Sequence, residues 1–376
     1  MVKERNLPYQ RIVVKLGTGL VTGGSDHLNP DIVSGLVAQV AELHKQGGEL
    51  IVVSSGAIAS GRHKLGLSRK VRGIPYKQVL AAVGQSRLMY FYDQLFSQHD
   101  ITVAQALLAR ADLADRAGYL NARNTLLALL ELRVIPIVNE NDVVAVDEIK
   151  ESKFGDNDSL SAMVANLVDA DLLLILSDIA GLYTADPHRY PEARLIPLVE
   201  KIDSGIEKLA AGTTSSLATG GMVTKIEAAK LATASGVTVV VASGREPEVI
   251  RRVAGGEAVG SRFLAQTTKL ESRKRWMLSG LSTKGKLVVD SGAATALKKR
   301  RSSLLAAGIK QVSGRFEQGD IVNIYDPEGN RLGCGLTNYS SADVGIIKGA
   351  RSGEIATLLG HDYGSEVVHR NNLVVF

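Results

Sequence analysis

The chain reads as an α/β protein: a three-layer αβα sandwich on a mainly parallel sheet, followed by a small, mostly β domain. Three observations predict this. Short strands that are apolar throughout alternate with helices over the first two-thirds of the 376 residues. Polar residues gather where those strands end. Near residue 265 the composition shifts to strand-like runs and glycine turns, and the expected division is 1–265, a linker over 266–282, and 283–376.

The first strand, Ile12-Val-Val-Lys15-Leu16, carries one lysine inside an apolar run and then breaks into Gly17, Gly19, Gly23 and Gly24. Backbone N–H groups in such a loop can approach an anion without Cβ interference. The stretch is either a phosphate cradle or a glycine turn with Lys15 at a strand edge. It is not a Walker A loop, because Ser25-Asp26 follows Gly24 where Lys-Ser/Thr is required. It is not a dinucleotide fingerprint, because Thr22 stands at the third glycine.

Asn29, Pro30 and Asp31 read as N-cap, first helical residue and acidic first turn. Ile32, Val33, Leu36, Val37, Val40 and Leu43 follow at helical spacing until Gly47 stops the helix. The strand over 50–53 ends in Ser54-Ser55-Gly56. A helix over 121–132 leads to a strand over 134–138, which ends in Asn139-Glu-Asn-Asp142. A helix over 159–167 leads to a strand over 172–176, ending in Ser177-Asp178. The last pair is a helix over 224–233 and a strand over 237–241. Open α/β sheets bind ligands at the carboxyl ends of their strands. Each polar strand end alone reads as a turn or a cap, but four in register predict a site.

Two helix starts carry further chemistry. Asp156-Asn157-Asp158-Ser159 can cap a helix, present carboxylate and amide groups to a site, or do both. Thr219-Gly220-Gly221-Met222-Val223-Thr224-Lys225 puts a cation in a helix's first turn, against the dipole. An anion bound at that helix start offsets the cost; otherwise Lys225 is an exposed helix lysine. Two lysines, Lys15 and Lys225, meeting across a transferring phosphoryl group would neutralise its developing charge. Asp158 can hold their ammonium groups, and Ser55, Asp142 and Asn157 the acceptor's polar groups. The seven histidines form no ligand spacing, and no metal site is expected from the protein's side chains.

The totals agree with a folded globular protein. Hydrophobic residues make up 45% of the chain. No apolar run reaches the roughly 18 residues of a membrane span, and the N-terminus lacks the apolar core of a signal peptide. A single cysteine, Cys334, suits a reducing cytoplasm. The net charge of +5 allows an anionic substrate or nucleic acid.

These motifs resemble those of the glutamate 5-kinases, a branch of the amino acid kinase family with a C-terminal PUA domain. The resemblance is carried by Val14-Lys15-Leu-Gly-Thr18, Ser54-Ser-Gly-Ala-Ile-Ala59, Asn139-Glu-Asn-Asp142, Gly155-Asp-Asn-Asp158, Gly181-Leu-Tyr-Thr-Ala-Asp-Pro187 and Thr219-Gly-Gly-Met222 with Lys225. It runs nearly the whole chain. It implies phosphorylation of the side-chain carboxylate of L-glutamate by ATP, with Mg²⁺ bridging the nucleotide phosphates, as the first step of proline synthesis. It also implies feedback inhibition by proline, a homodimer or homotetramer, and a glutamyl phosphate reductase that consumes the product. By motif, Lys15, Lys225 and Asp158 are catalytic, and Ser55, Gly56, Asp142 and Asn157 bind glutamate. Lys15, Gly17, Ser177, Asp178, and 219–225 (Thr219, Gly220, Gly221, Met222, Val223, Thr224 and Lys225) line the nucleotide site. Ser177 stands where the family commonly has threonine, and Ala218 and Val223 where glycine and serine are common.

Two rivals stand beside this reading. One is a relative phosphorylating aspartate, N-acetylglutamate, carbamate or UMP, against which the Asn139–Asp142 motif and the PUA-like tail argue. The other is an RNA-binding protein with the kinase fold as scaffold. For it speaks the basic patch Lys298-Lys-Arg-Arg301, which reads equally as a solvated helix end; against it, the patch is short and aromatic residues around it are sparse.

Overall fold

The computed structural model describes residues 7–67, 73–144, 157–187, 189–212, 221–269, 284–300 and 302–376. The chain divides into two compact units, Met1–Asp112 with Arg123–Lys269, and Leu113–Ala122 with Leu270–Phe376.

In chain order the elements begin with β1 (Arg11–Leu16), α1 (Thr18–Val21), α2 (Pro30–Lys45), β2 (Glu49–Ser54), α3 (Ala57–Lys64) and α4 (Ile74–Ser97). Then come β3 (Val103–Leu108), α5 (Arg110–Ala114), α6 (Arg116–Glu131), β4 (Ile135–Glu140), α7 (Asp158–Leu167) and β5 (Leu172–Ser177). After β6 (Leu198–Val199) and α8 (Ser204–Gly212) follow α9 (Met222–Ala234), β7 (Thr238–Ser243), α10 (Val249–Ala254) and β8 (Ser261–Phe263).

The eight strands form one sheet in the order β3-β4-β2-β1-β5-β7-β8-β6. All pairings are parallel except β7 with β8. The expected mainly parallel sheet is therefore present. Its central strands are buried from end to end because both faces are covered by helices, which is why they carry no alternation. β1 lies between β2 and β5, where the chain changes direction across the sheet. That switch point opens a crevice at the strands' carboxyl ends.

α2 forms as its sequence dictates. The Asn29 side chain accepts from the Ile32 N–H at 3.1 Å, Pro30 occupies the first turn, and Val33, Leu36, Val37, Val40 and Leu43 are buried. The other boundaries shift by a few residues. α6 begins at Arg116, five residues earlier than the pattern predicts, and β4 runs through Asn139 and Glu140, so both belong to the strand rather than following it. The Gly17–Gly24 stretch is less open than a loop, since Thr18–Val21 closes into one helical turn.

The sequence reading assigns nothing between Gly56 and the sixth helix. The structure fills this gap with α3, α4, β3 and α5. The 24-residue α4 packs on α3 through glycines. A Cβ on Gly61 would fall 1.9 Å from the Leu80 carbonyl oxygen, a distance only glycine permits.

The second unit contains a five-stranded sheet ordered Ile309–Gly314, Gly285–Val289, Ile321–Tyr325, Arg331–Leu336 and Leu373–Val375, and a two-stranded one. The expected small, β-rich domain is present. Leu287, Phe316, Ile324, Tyr339 and Val367 lie in its core, and Leu120 is buried with Ile321, Cys334 and Val374. Lys298 sits in the helix Ser291–Arg300, half exposed, with its ammonium 4.0 Å from Asp326. The sequence Arg273-Lys-Arg-Trp276, a basic run with the one tryptophan, lies outside the described residues. So does Arg301, and of the Arg300 side chain nothing is described. Among the described residues no helix is long and apolar enough to cross a membrane.

Candidate active site

Three charged residues from three elements meet at the switch point. Lys15 is the penultimate residue of β1, level with Val53 of β2 and Ile175 of β5. Asp158 opens α7, where a carboxylate suits the positive end of the helix dipole. Lys225 lies in the first turn of α9. The Lys15 ammonium is 2.7 Å from Asp158 Oδ1, and the Lys225 ammonium donates to Oδ2 at 3.2 Å. Thr224 donates its hydroxyl to the same Oδ2 at 2.7 Å.

All three charges are out of water, with side-chain exposures of 0%, 0% and 3% for Lys15, Asp158 and Lys225. Burial alone would raise the Asp158 carboxyl. Lys15 first, then Lys225, and then hydrogen bonds from Lys15 and Thr224 hold it below the usual carboxylate value. Asp158 is thus an ionised brace between two cations. α9 adds to this positive corner: its N-cap is Gly221, without a capping side chain, and its first turn holds no acid. Such a corner attracts an anion, and buried cations favour one that is multiply charged.

On the β2 and β4 side of this triad lies a cavity of about 270 Å³. Ser55, Gly56, Asp142 and Asn157, the four residues expected to hold an acceptor, all line it. Gly56 reaches its place with φ +114°, and a Cβ there would also press to 3.1 Å on Leu28 and Val21. Asn157 could serve as the cap of α7, but its side chain makes no capping bond. Instead it donates to the Ser54 carbonyl at 3.0 Å and to Asn139 Oδ1 at 2.7 Å, tying α7 to the ends of β2 and β4. Burial first, and Glu140 second, push the Asp142 carboxyl up to about 6. A cation placed beside it would relieve both effects.

The sequence reading missed the supports of this cavity. Gln85 of α4 accepts from Asn139 at 2.8 Å. Tyr92, one further face-repeat along α4, is fully buried with its hydroxyl 2.7 Å from Ser54 Oγ. Since Ser54 donates to the Ser55 carbonyl at 2.8 Å, Tyr92 is the donor to Ser54. The spacing Ala81, Gln85, Leu88, Tyr92 is the signal that would have revealed this face. Thr18, Thr22 and Arg62 also line the cavity without having been expected there.

The described residues expected to line a nucleotide site stand at the ends of β1 and β5 and at the start of α9. Ser177 ends β5, buried, and donates to the neighbouring Asp178 at 3.0 Å. A Cβ on Gly19 would stand 4.0 Å from Asp178 Oδ2, so this strand end adjoins the loop that Gly17 opens. Gly221 and Val223 are half buried, whereas Met222 turns into the core. Thr219 and Gly220 lie outside the described residues.

A mainly parallel sheet with a lysine–carboxylate–lysine brace at its switch point defines a phosphoryl-transfer class of protein. The model of the amino acid kinase family matches residues 10–243, and that of the PUA domain residues 285–359. The chain belongs to the amino acid kinase family. It is 59% identical over 367 residues to the glutamate 5-kinase of Dehalococcoides mccartyi strain 195, covering 98% of each chain. Against the glutamate 5-kinase of Herpetosiphon aurantiacus the identity is 51% over 373 residues, 99% of this chain and 100% of that one. Against that of Deinococcus radiodurans it is 50% over 365 residues, 97% and 99% of the two chains.

Proposed function

We propose that the protein transfers the γ-phosphoryl group of ATP to the side-chain carboxylate of L-glutamate, giving ADP and γ-glutamyl 5-phosphate, the first step of proline synthesis. The observation that carries the reading is the Lys15–Asp158–Lys225 brace standing against a cavity lined by Ser55, Gly56, Asp142 and Asn157. The identity to glutamate 5-kinases over 97% or more of the chain supports the acceptor.

The acceptor oxygen attacks the γ-phosphorus. One O–P bond forms, the bond to the β-phosphate oxygen breaks, and ADP leaves with that electron pair. A carboxylate is already ionised at neutral pH, so the reaction needs no general base. It needs charge neutralisation and alignment. Lys15 and Lys225 face the transferring group and the bridging oxygen, and Asp158 fixes the angle between them. Asp142 takes the α-ammonium of glutamate. Ser55, Gly56 and Asn157 shape the wall along which the side chain points to the phosphoryl group. Ser177, Asp178, Gly17 and the start of α9, preceded in sequence by Thr219 and Gly220, would hold the nucleotide, and Mg²⁺ bound with it would supply further positive charge against the phosphates.

The family resemblance supports the remaining expectations. Proline, the end product, inhibits at or near the glutamate site. The protein works in the cytoplasm as a homodimer or homotetramer, and a reductase removes the unstable acyl phosphate. Catalysis belongs to residues 1–265, joined by 266–282 to a PUA-like domain over 283–376.

The test is ADP release from Mg-ATP with a panel of acceptors and hydroxylamine as trap. Glutamate-dependent turnover with a trapped hydroxamate is the expected result. Turnover with aspartate or N-acetylglutamate instead would overturn the acceptor, and none at all would overturn the activity.

A further inference from the structure

We infer that Arg62 binds the α-carboxylate of the acceptor and so restricts phosphorylation to amino acids free at that end. The inference rests on the acceptor reading above.

Such an acceptor carries three charges. Its side-chain carboxylate must reach the phosphoryl group beside Lys15 and Lys225, and its α-ammonium has Asp142. Its α-carboxylate needs a cation outside the phosphoryl site, and Ser55, Gly56, Asn157 and Asp142 supply none. Of the described side chains lining the cavity, Arg62 and Lys77 are cationic.

Three observations select Arg62. It lies four residues after Ile58 and three after Ala59 on α3, and all three line the cavity, so one helical face looks into it. Its Nε is buried without a hydrogen-bond partner among the described residues, a donor whose burial is costly until an acceptor arrives. The helix turn that carries it lies close against α4, since a Cβ on the preceding Gly61 would fall 1.9 Å from the Leu80 carbonyl oxygen. A guanidinium also matches a carboxylate with two parallel donors, which a lysine cannot do.

The experiment compares L-glutamate with its α-amide, which keeps the side-chain carboxyl and the ammonium but lacks the α-carboxylate. Wild-type protein should favour glutamate in kcat/KM. Arg62→Gln should lower kcat/KM for glutamate about 10- to 100-fold, mostly through KM, as for loss of a charged hydrogen-bonded pair. The α-amide value should stay within about twofold, as should the KM for ATP. Arg62→Lys should recover only part of the preference, and Lys77→Met should leave it intact. Equal losses on both acceptors, or a preference lost in Lys77→Met and kept in Arg62→Gln, would overturn the inference. Should Arg62→Gln fail to fold, the ratio in Arg62→Lys decides: unchanged, it overturns the inference; narrowed, it supports it. A wild-type protein inactive on glutamate would instead overturn the acceptor reading itself.

Discussion

The carbonyl oxygen of Ala57 occupies the place of a side chain on Gly84: a Cβ built there would stand 1.7 Å from it. α3 and α4 therefore touch backbone to backbone, and the Ser55–Gly56 corner at the head of α3 takes its position from α4. Gly84→Ala should push the helices apart, lowering stability by about 1–3 kcal/mol or more. It should also raise the KM for glutamate more than that for ATP. Gly35→Ala on α2 is the control. Nothing lies within 4 Å of its built Cβ, so helix propensity alone should raise stability by about 0.5–1 kcal/mol. Thermal unfolding and steady-state kinetics on both variants measure this, and equal effects would remove the helix contact from the account.

Tyr92 acts on the same corner from below. Its hydroxyl donates to Ser54, whose own hydroxyl donates to the Ser55 carbonyl. Burial pushes the phenol up to about 12, so it remains a donor throughout the working range. Tyr92→Phe should cost about 1–2 kcal/mol of stability and raise the KM for glutamate several-fold with kcat nearly unchanged. A fall in kcat at constant KM would place Tyr92 in the transferring step instead.

These supports show where sequence reading stopped. Lys15, Asp158 and Lys225 were legible because each stands beside glycine or an acid–amide cluster at a strand end or helix start, and the α/β topology brings such points together. Their meeting on one carboxylate followed from chemistry. α4 was illegible because it is apolar on both faces: Leu80, Leu88, Tyr92 and Phe96 are buried, while Tyr76, Val79 and Tyr90 are exposed. No single stripe marks its period, and Gly84 reads as a breaker although it is a contact. Gln85 and Tyr92 were lost with the helix. Asn157 was ambiguous for a different reason. An asparagine before a helix is an ordinary cap, yet its amide spans to Ser54 and Asn139 instead. Only tertiary structure offers it those partners.

Asp142 predicts a pH dependence with a definite sign. Its carboxyl sits at about 6 through burial first and Glu140 second, and only the ionised form pairs with an ammonium. Below about pH 6, kcat/KM for glutamate should fall about tenfold per unit. kcat should hold to lower pH, because the bound ammonium brings the carboxyl back down. Folding carries the opposite sign. A carboxyl raised above its ordinary 3.8 binds its proton more tightly in the folded state, so its contribution favours folding as pH falls from 6 toward 4 and opposes it above 6. Asp142→Asn should therefore be at least as stable as wild type at pH 7 while its KM for glutamate rises about 10- to 100-fold. A destabilised variant with unchanged KM would mean that Asp142 is structural.

The brace itself makes the sharpest kinetic prediction. Lys225 holds Asp158 at 3.2 Å, and Thr224 holds the same oxygen at 2.7 Å. In Lys225→Ala the carboxylate keeps its bonds to Lys15 and Thr224, so the fold should survive while the charge facing the transferring phosphoryl group is lost. kcat should fall by about 10²-fold or more. The KM values for ATP and glutamate should change far less, because an interaction that strengthens in the transition state is spent on rate rather than on ground-state binding. Thr224→Val should be milder, since it removes a hydrogen bond to Asp158 but no charge. Should both variants raise the KM for ATP and leave kcat alone, Lys225 would be a nucleotide anchor, and the neutralisation of the transferring group would fall to Lys15.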